Sequence, residues 1–279
     1  MSEKLAPFEF KNKVAVITGA AGGIGKAMAE RFARADMKLV LSDVDDALLK
    51  QTADELREGG AEVATLKVDV AKPEAVQAMA DLAFNRFGAV HLLCNNAGVV
   101  PSNRNRPIWE YPPADWTWAM DVNLAGVVNG LRAFVPRMME QDARAHIVNT
   151  ASIAGLISGS RAPLYSVSKH AMVRATEALY SALQDRGSPI GVTLLCPGVV
   201  STRIYESERS RPAALATAGT NDKEGPPDQS PIQDVATVAE MTFNAVRDNQ
   251  FYLLTTDHFD GHIRERFAAM LERRNPAFP

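Results

Sequence analysis

The sequence predicts an α/β fold with one parallel sheet of seven strands and helices on both faces, the doubly wound arrangement. The first observation is a series of seven short apolar runs, at residues 14–17, 39–41, 63–66, 90–94, 145–150, 190–195 and 251–255. The second is the helical periodicity of the stretches between them, near residues 24–33, 45–58, 73–87, 113–138 and 163–186. Strands that alternate with helices pair in parallel, because each helical crossover lies on a face of the sheet.

The chain is predicted to form a single domain over residues 1–279. Its 46% hydrophobic and 23% charged residues are typical of a globular protein, and no repeat or Pro/Gly-rich linker divides it before residue 200. The segment 201–234 contains an aperiodic stretch rich in Gly, Asn, Asp and Pro, and it follows a strand end, where open α/β sheets bind ligands. A substrate lid is therefore favoured there over a linker. A C-terminal helix is predicted at 257–273, packed on the lid or on another subunit.

The composition argues against several classes of partner. Thirty Lys and Arg against 33 Asp and Glu leave a net charge of -3 without a basic block, so no nucleic-acid partner is predicted. No run of about 18 apolar residues and no signal-peptide pattern is present, so a cytoplasmic protein without a membrane partner is predicted. Cys94 and Cys196 are predicted to be buried thiols in a reducing compartment, and no metal site is predicted.

A glycine-rich turn follows the first predicted strand and opens directly into a helix. Its sequence is TGAAGGIG, from Thr18 to Gly25. Glycines let the backbone approach a pyrophosphate, and the helix N-terminus supplies unpaired N–H groups. Any tight turn can use glycine, but the position between strand and helix favours a Rossmann-like dinucleotide site. The predicted cofactor-binding residues of this turn are Gly19, Ala21, Gly22, Gly23, Ile24 and Gly25.

The second predicted strand ends at Ser42-Asp43, where a carboxylate can accept hydrogen bonds from the adenosine ribose hydroxyls. Asp43 would repel a 2′-phosphate, and no Arg or Lys stands at Gly22 or Val44 to bind one. NAD is therefore favoured over NADP as the cofactor. The alternative is that Asp43 is a solvated strand end or the cap of the helix from residue 45, for which Asp45 is an equally good candidate.

Five motifs in order resemble those of the short-chain dehydrogenase/reductase family, in its compact single-domain form, from about residue 11 to residue 255. The turn matches the family pattern TGxxxGxG, and Asn95-Asn96-Ala97-Gly98 matches its NNAG segment. The resemblance implies that further residues bind the nicotinamide cofactor, around the adenine, along the fourth strand and at the carboxamide. These residues are Asp69, Val70, Asn96, Ala97, Gly98, Pro197, Gly198, Val200 and Thr202.

Four residues match the catalytic set of the family: Asn123, Ser152, Tyr165 and Lys169. Tyr165 and Lys169 are spaced i, i+4 and share a helix face, so the Lys cation is expected to lower the Tyr pKa from about 10 and to make Tyr165 the general acid/base. The resemblance implies that Ser152 binds the substrate oxygen, that Lys169 and Tyr165 also contact the cofactor, and that Asn123 orders a water beside Lys169. Singly, each residue would be interpreted as packing, a cap or a solvated side chain.

The substrate is less well specified. The predicted substrate-binding residues are Ser152, Ala154, Tyr165 and Tyr205, and the neighbouring segments are apolar, which favours a bulky hydrophobic secondary alcohol or ketone such as an aryl or terpenoid one. Three lid arginines, Arg203, Arg209 and Arg211, are expected to lie on a solvated face, although one could bind a carboxylate.

Three further expectations concern the class of protein and its assembly. The rival hypotheses to an oxidoreductase are a cofactor-sensing regulator or scaffold without turnover and an epimerase or dehydratase of the extended relatives. The intact catalytic set argues against the first, and the absence of a large C-terminal substrate domain argues against the second. The apolar residues of helices 113–138 and 163–186 exceed what one sheet face covers, so a homotetramer or homodimer is expected.

Overall fold

The computed structural model of the chain describes residues 7–102, 104–141, 143–157, 159, 161–217 and 230–276. Within them, seven parallel strands form one sheet in the order β3-β2-β1-β4-β5-β6-β9. These strands are β1 Val14–Thr18, β2 Lys38–Asp43, β3 Val63–Lys67, β4 Leu92–Asn95, β5 Ala145–Thr150, β6 Ile190–Cys196 and β9 Tyr252–Leu254. The predicted doubly wound seven-stranded sheet is confirmed.

Eight α-helices occur in the same residues. They are α1 Gly23–Ala33, α2 Asp46–Glu58, α3 Pro73–Phe87, α4 Pro113–Met120, α5 Gly126–Glu140, α6 Pro163–Asp185, α7 Val235–Arg247 and α8 Asp260–Leu271. The helix predicted to run unbroken over 113–138 is instead α4 and α5 joined by a π-helical turn at Asp121–Ala125. Such widened turns arise where the sequence places a side chain into a contact that regular helical geometry would miss, and they are frequent at functional sites.

Helices cover both faces of the sheet because successive side chains of a strand point to opposite sides. In β1, Ile17 belongs to an apolar cluster with Phe32 of α1 and Phe243 of α7. Its neighbour Val16 belongs to a second cluster with Phe134 of α5. All five of these side chains are buried. The near-continuous apolar runs in the sequence therefore correspond to strands buried on both faces.

The order of the strands reverses between β1 and β4, which are neighbours although β2 and β3 separate them in sequence. The connections after these two strands diverge to opposite sides of the sheet, and a crevice opens at the carboxyl ends of the strands. The motifs identified in the sequence, including Gly19 after β1 and Asn96 after β4, meet at this crevice.

A two-stranded parallel pair joins the two ends of the predicted lid. Strand β7, Val199–Val200, pairs with β8, Ile232–Gln233. Between them, residues 203–210 and 213–215 form short 3-10 turns. Residues 218–229 of the predicted lid lie outside the described residues.

The predicted C-terminal helix is α8, which covers Asp260–Leu271. Phe259 and Ile263 pack against the apolar cluster that contains Met172 of α6. Two apolar side chains farther along this helix, Phe267 and Leu271, are exposed. In the part of the chain that the structure describes, none of the helices has the length and apolar character needed to span a membrane.

Candidate active site

One long cleft follows the carboxyl ends of the strands and has a volume of about 2100 Å³. At one end it is lined by Asp43 and Asp69, and at the other by Tyr205 and His258. All of the predicted site residues line this cleft except Gly25 and Asn123, which lie behind its wall. Sequence positions more than 180 residues apart are thus gathered into one groove.

The glycine-rich turn has the backbone geometry that its sequence predicts. Gly19 and Gly23 have positive φ angles of 66° and 55°, which side chains rarely adopt. Gly22 precedes α1 without any side-chain cap on the helix, so backbone N–H groups of its first turn remain available to an anion. Gly25 does not line the cleft, because a Cβ there would lie 2.1 Å from the carbonyl oxygen of Gly19. Position 25 therefore requires glycine so that the start of α1 can pack closely against Gly19.

Asp43 and Asp45 have different tasks, which the sequence could not separate. The carboxylate of Asp45 accepts a hydrogen bond from the backbone N–H of Leu48 and caps α2. The carboxylate of Asp43 accepts hydrogen bonds from the N–H groups of Ala21 and Asp45, at 3.1 and 3.0 Å, and lines the cleft. The Asp43 side chain is therefore held against the glycine turn, where a bound adenosine ribose could be contacted.

The next segment, at Asp69 and Val70, is fixed by α5. A side-chain amide of α5, Asn129, donates to the carbonyl oxygen of Val70 at 3.0 Å. Gly126 allows this contact, since a Cβ at that position would lie 2.7 Å from a methyl carbon of Val70. The carboxylate of Asp69 accepts from the N–H of Ala71 and forms a turn. Asn129 and Gly126 were not singled out in the sequence, because nothing local marks them.

The NNAG segment after β4 is anchored to the glycine turn by Thr18. The hydroxyl of Thr18 accepts hydrogen bonds from the N–H groups of Asn96 and Ala97, at 2.9 and 3.0 Å. In return, the amide of Asn96 donates to the carbonyl oxygen of Thr18 at 3.1 Å. The first residue of the family turn pattern is thus a brace between two loops of the cleft.

Tyr165 lies in the first turn of α6 and meets Ser152, which follows β5. The Ser152 side chain forms a hydrogen bond to Tyr165 that lowers the pKa of the phenol. Burial acts in the opposite direction and dominates, so the pKa of Tyr165 is raised overall. The expectation that Lys169 depresses this pKa is wrong for the ligand-free chain. The reason is that the ammonium nitrogen lies 5.6 Å from the centre of the Tyr165 ring and is itself desolvated.

Lys169 is one of the most deeply buried charged side chains, with 2% of its surface exposed. Its ammonium nitrogen donates to the carbonyl oxygen of Thr150 at 2.8 Å. Burial lowers the pKa of Lys169 to about 8. A substantial fraction of Lys169 can therefore lose its proton slightly above neutral pH, whereas an exposed lysine stays almost fully protonated there.

Asn123 lies in the π-helical turn and is fully buried. Its side-chain amide accepts a hydrogen bond from the N–H of Val99 at 2.8 Å and donates one to the carbonyl oxygen of Val99 at 2.9 Å. The same amide also donates to the Ser168 hydroxyl. A Cβ on Gly98 would lie 3.3 Å from the Asn123 Oδ1 and 3.2 Å from the Lys169 ammonium nitrogen. Asn123 thus fixes the cleft wall beside Lys169, while its role in ordering a water stays a prediction.

The segment after β6 closes the cleft from the opposite side. Pro197, Gly198 and Val200 line the wall, and the N–H of Gly198 donates to the Thr255 hydroxyl at 3.2 Å. The side chain of Thr202 reaches the glycine turn, since a Cβ on Gly23 would lie 3.1 Å from its methyl carbon. The base of the lid therefore rests directly on the turn predicted to hold the pyrophosphate.

Cys196 ends β6 and lies beside two residues of the predicted catalytic set, Ser152 and Lys169, which the sequence did not indicate. Its thiol accepts a hydrogen bond from the backbone of Ser152, while burial raises its pKa to about 12. Cys94 is also buried, and both are free thiols, as predicted. The Cys196 thiol is neutral at physiological pH and adds apolar surface rather than charge beside Lys169.

The lid arginines differ from the prediction in one case. Arg203 is exposed and pairs with Glu206 at 2.8 Å, as expected for a solvated face. Arg211 instead has a side chain only 5% exposed, bonded to Asp115 at 2.9 Å and to Glu208 at 2.9 Å. The isolated lid sequence could not show this, because the partner Asp115 belongs to α4, nearly 100 residues earlier.

The comparisons with known proteins agree with this geometry. A family model described as short chain dehydrogenase matches residues 13–213. The chain belongs to the short-chain dehydrogenase/reductase family. This confirms the resemblance seen in the sequence, and the match covers the glycine turn, the NNAG segment and the four positions predicted to be catalytic.

Individual relatives are similar over almost the whole chain. A solved short-chain dehydrogenase/reductase from Burkholderia phymatum in complex with NAD is 43% identical, with a TM-score of 0.91 and coverage of 98% of this chain and 99% of the other. A CLA biosynthesis dehydrogenase/reductase from Lactiplantibacillus plantarum is 37% identical, and the match covers 92% of this chain and 93% of the relative. A 1-deoxy-11-beta-hydroxypentalenate dehydrogenase from Streptomyces exfoliatus is 35% identical and covers 92% and 88%.

Proposed function

We propose that the protein is an NAD-dependent oxidoreductase that interconverts a hydrophobic secondary alcohol and its ketone within a single domain. The observation that carries this proposal is the position of Ser152, Tyr165 and Lys169 in the same cleft as the glycine-rich turn. The dehydrogenase and reductase names of the relatives support the reaction class. A bound nicotinamide would supply the hydride acceptor for alcohol oxidation and the hydride donor for ketone reduction.

The residues of the chain would move the proton. In alcohol oxidation, the O–H proton passes to the Tyr165 oxygen as the hydride leaves the carbon, so that no free alkoxide forms. Ser152 donates to Tyr165 and can also bond the substrate oxygen. Lys169, whose pKa is near 8, lies beside Tyr165 and could take the proton from it. In ketone reduction the proton takes the reverse path.

The cleft fits a dinucleotide, and its charge favours NAD. The uncapped N-terminus of α1 and the positive φ angles of Gly19 and Gly23 provide a backbone surface for a pyrophosphate. The Asp43 carboxylate is held beside this turn, where it would accept hydrogen bonds from the ribose hydroxyls and repel a 2′-phosphate. The complex of the Burkholderia phymatum relative contains NAD, which supports the same choice.

The remaining parts of the proposal concern substrate contacts, assembly and location. Ala154, Ile153 and Tyr205 line the half of the cleft beyond Tyr165 and favour a substrate with an apolar body. The exposed apolar side chains of α5 and α6, among them Val128 and Val167, support a homotetramer or homodimer. The two free buried thiols are compatible with the proposed cytoplasmic location. Light scattering at micromolar concentration tests the assembly, and a monomer would contradict it.

A panel of ketones and secondary alcohols of increasing size, each offered with NAD or NADP and their reduced forms, tests the function by absorbance of the reduced cofactor. Turnover of apolar members with NAD is expected. Tight binding of the cofactor without turnover of any member would instead favour the cofactor-sensing regulator.

A further inference from the structure

The first turn of α8 is in contact with two segments that border the predicted catalytic centre. A Cβ on Gly198 would lie 3.7 Å from a ring carbon of Phe259, so this ring packs against the segment predicted to hold the nicotinamide carboxamide. Phe259 and Ile263 also pack against the apolar cluster that contains Ile153, the residue after Ser152. The beginning of the C-terminal helix therefore forms part of the wall on the substrate side.

The second turn of α8 is attached to the same wall by a polar contact. The guanidinium of Arg266 donates a hydrogen bond to the carbonyl oxygen of Leu156 at 2.8 Å. Leu156 follows the short 3-10 turn Ile153–Gly155, which begins directly after Ser152. Because one apolar and one polar contact act on successive turns, the side chains between them are held in a defined position relative to Ser152.

His262 lies between these two contacts and lines the cleft. Its ring is half-buried, and the ring centre lies 6.2 Å from that of Phe259. Within the residues that the structure describes, the Nδ1 atom of His262 is buried and has no hydrogen-bond partner. Buried polar atoms are rarely left unpaired, so the ring has a property that packing alone does not explain.

The unpaired Nδ1 atom indicates which nitrogen carries the proton in the neutral ring. A proton on Nδ1 would bury an N–H group without an acceptor, and proteins avoid a buried N–H of this kind more strictly than an unused acceptor. The proton is therefore assigned to Nε2. Since the ring is only half-buried and lines the cleft, Nε2 is the nitrogen that a ligand can reach. His262 thus presents a hydrogen-bond donor to the substrate side.

This donor has largely apolar neighbours. Ile153, Ala154 and Phe259 line the same half of the cleft. An apolar pocket orients its ligand through a few placed polar groups. A wholly apolar ligand at this wall would remove water from the N–H group of His262 and leave it unpaired, which is costly. The donor therefore discriminates between substrates of similar shape according to whether they carry an acceptor.

We propose that the substrate carries, besides its reacting alcohol or ketone, a second oxygen that accepts a hydrogen bond from Nε2 of His262. The inference rests on the proposed oxidoreductase function and specifies the substrate class of the same site, an apolar skeleton with a remote carbonyl or ether oxygen. One oxygen would bind at Ser152 and Tyr165 and the other at His262. Two separated contacts of this kind fix the orientation of the skeleton in the cleft.

The test compares pairs of ketones with one skeleton, in which a second oxygen at increasing distance from the reacting carbonyl is replaced by a methylene group. For the wild type, kcat/KM of the best oxygen-bearing ketone should exceed that of its methylene partner by at least about tenfold. His262→Phe keeps a flat ring and should abolish this preference. His262→Gln keeps a side-chain N–H donor and should retain part of it. Calorimetric titration of the same pairs into the protein with NADH measures the preference without turnover.

His258→Phe is the matched control, because His258 lines the same cleft but is exposed. It should leave the preference unchanged. Equal binding and equal use of both members of every pair by the wild type would overturn the proposal, as would a preference that persists in His262→Phe. Turnover of the methylene ketones shows that the oxidoreductase function holds even when the His262 proposal fails. Selective binding without turnover of any ketone would instead overturn the proposed function and support the contact with His262.

Discussion

The ammonium nitrogen of Lys169 donates a hydrogen bond of 2.8 Å to the carbonyl oxygen of Thr150. This bond ties the first turns of α6 to the last residue of β5, two positions before Ser152. The hydroxyl of Thr150 also contacts the Asn96 side chain, at 3.3 Å. Three of the cleft-forming segments are therefore fixed to one another through Thr150, and the proposed catalytic side chains depend on these contacts for their positions.

Tyr165→Phe should reduce turnover by at least about a thousandfold, because both the proton transfer and the positioning of the substrate oxygen are lost. Cofactor affinity should change little, since the phenyl ring and Lys169 remain. Steady-state rates and titration of NADH fluorescence measure the two quantities. Turnover within tenfold of wild type would show that another group moves the proton.

Ser152→Ala should shift the pH profile of alcohol oxidation upward. Oxidation needs the Tyr165 phenolate, so its rate should rise with pH. The hydrogen bond from Ser152 lowers the pKa of Tyr165, so its removal should raise the apparent pKa and reduce the rate at neutral pH. Ketone reduction needs Tyr165 and Lys169 in their protonated forms. Its rate should therefore decline as the pH rises through the Lys169 pKa of about 8. Rates of both reactions between pH 6 and pH 10 check the two directions, and a Ser152→Ala protein that oxidises the alcohol at neutral pH as fast as the wild type would contradict the assignment.

Asp43→Ser should reduce the preference for NAD over NADP. In the wild type, kcat/KM with NAD should exceed that with NADP by at least about tenfold, or about 1.4 kcal/mol. The repulsion of a 2′-phosphate is removed while the strand is unchanged. Asp45→Ala is the control two residues away, since it removes the cap of α2 and should cost about 1 kcal/mol of stability without altering cofactor preference. A wild-type protein that uses NAD and NADP equally would refute this prediction.

His146 should make the fold sensitive to acid. Burial between strands lowers the pKa of its imidazole to about 3, against 6.5 for the unfolded chain. The unfolded state therefore binds a proton below pH 6.5 that the folded state excludes, and this residue contributes a loss of stability of about 1.4 kcal/mol per pH unit down to pH 3. Urea unfolding at several pH values should show a shallower dependence for His146→Gln, and no change for the exposed His258→Gln.

Arg211→Leu should destabilise the fold by about 3 to 5 kcal/mol, because Asp115 and Glu208 would be left buried without their cation. Arg203→Leu, which breaks an exposed pair, should cost no more than about 1 kcal/mol. Denaturant unfolding of the two variants makes the comparison. Equal losses would mean that the buried cluster does not hold the lid to α4.

The parts of the fold that were predicted correctly depend on local pattern. The conformations of apolar runs such as Val14–Ile17 and of the glycine turn are determined by a few neighbouring residues. The order of the motifs along the chain then indicates the family. Helix α7 was not recognised, although Asp234 caps it by accepting from the N–H groups of Ala236 and Thr237. Its short periodic stretch directly follows a Gly- and Pro-rich segment, which obscured its start.

Features that depend on distant partners could not be predicted. The π-helical turn at 121–125 accompanies the contact of Asn123 with Val99, and the burial of Arg211 depends on Asp115. The choice between Asp43 and Asp45 as the cap of α2 also required the structure, since both have the same charge and lie only two positions apart. The raised pKa of Tyr165 reflects the depth of the cleft, which no local pattern of residues records.

The parallel strands β7 and β8 pair Val199 with Ile232 and Val200 with Gln233, so the two ends of the predicted lid lie side by side. A loop whose ends are clamped in this way can vary in length at small entropic cost, since closure grows only with the logarithm of the residue number. The chain between residues 217 and 230, which follows the contacting residues Thr202 and Arg211 in sequence, could therefore change in length without disturbing their contacts with the glycine turn and α4. Evolution or engineering could replace this segment to change substrate preference while the strands beside the predicted cofactor site stay intact.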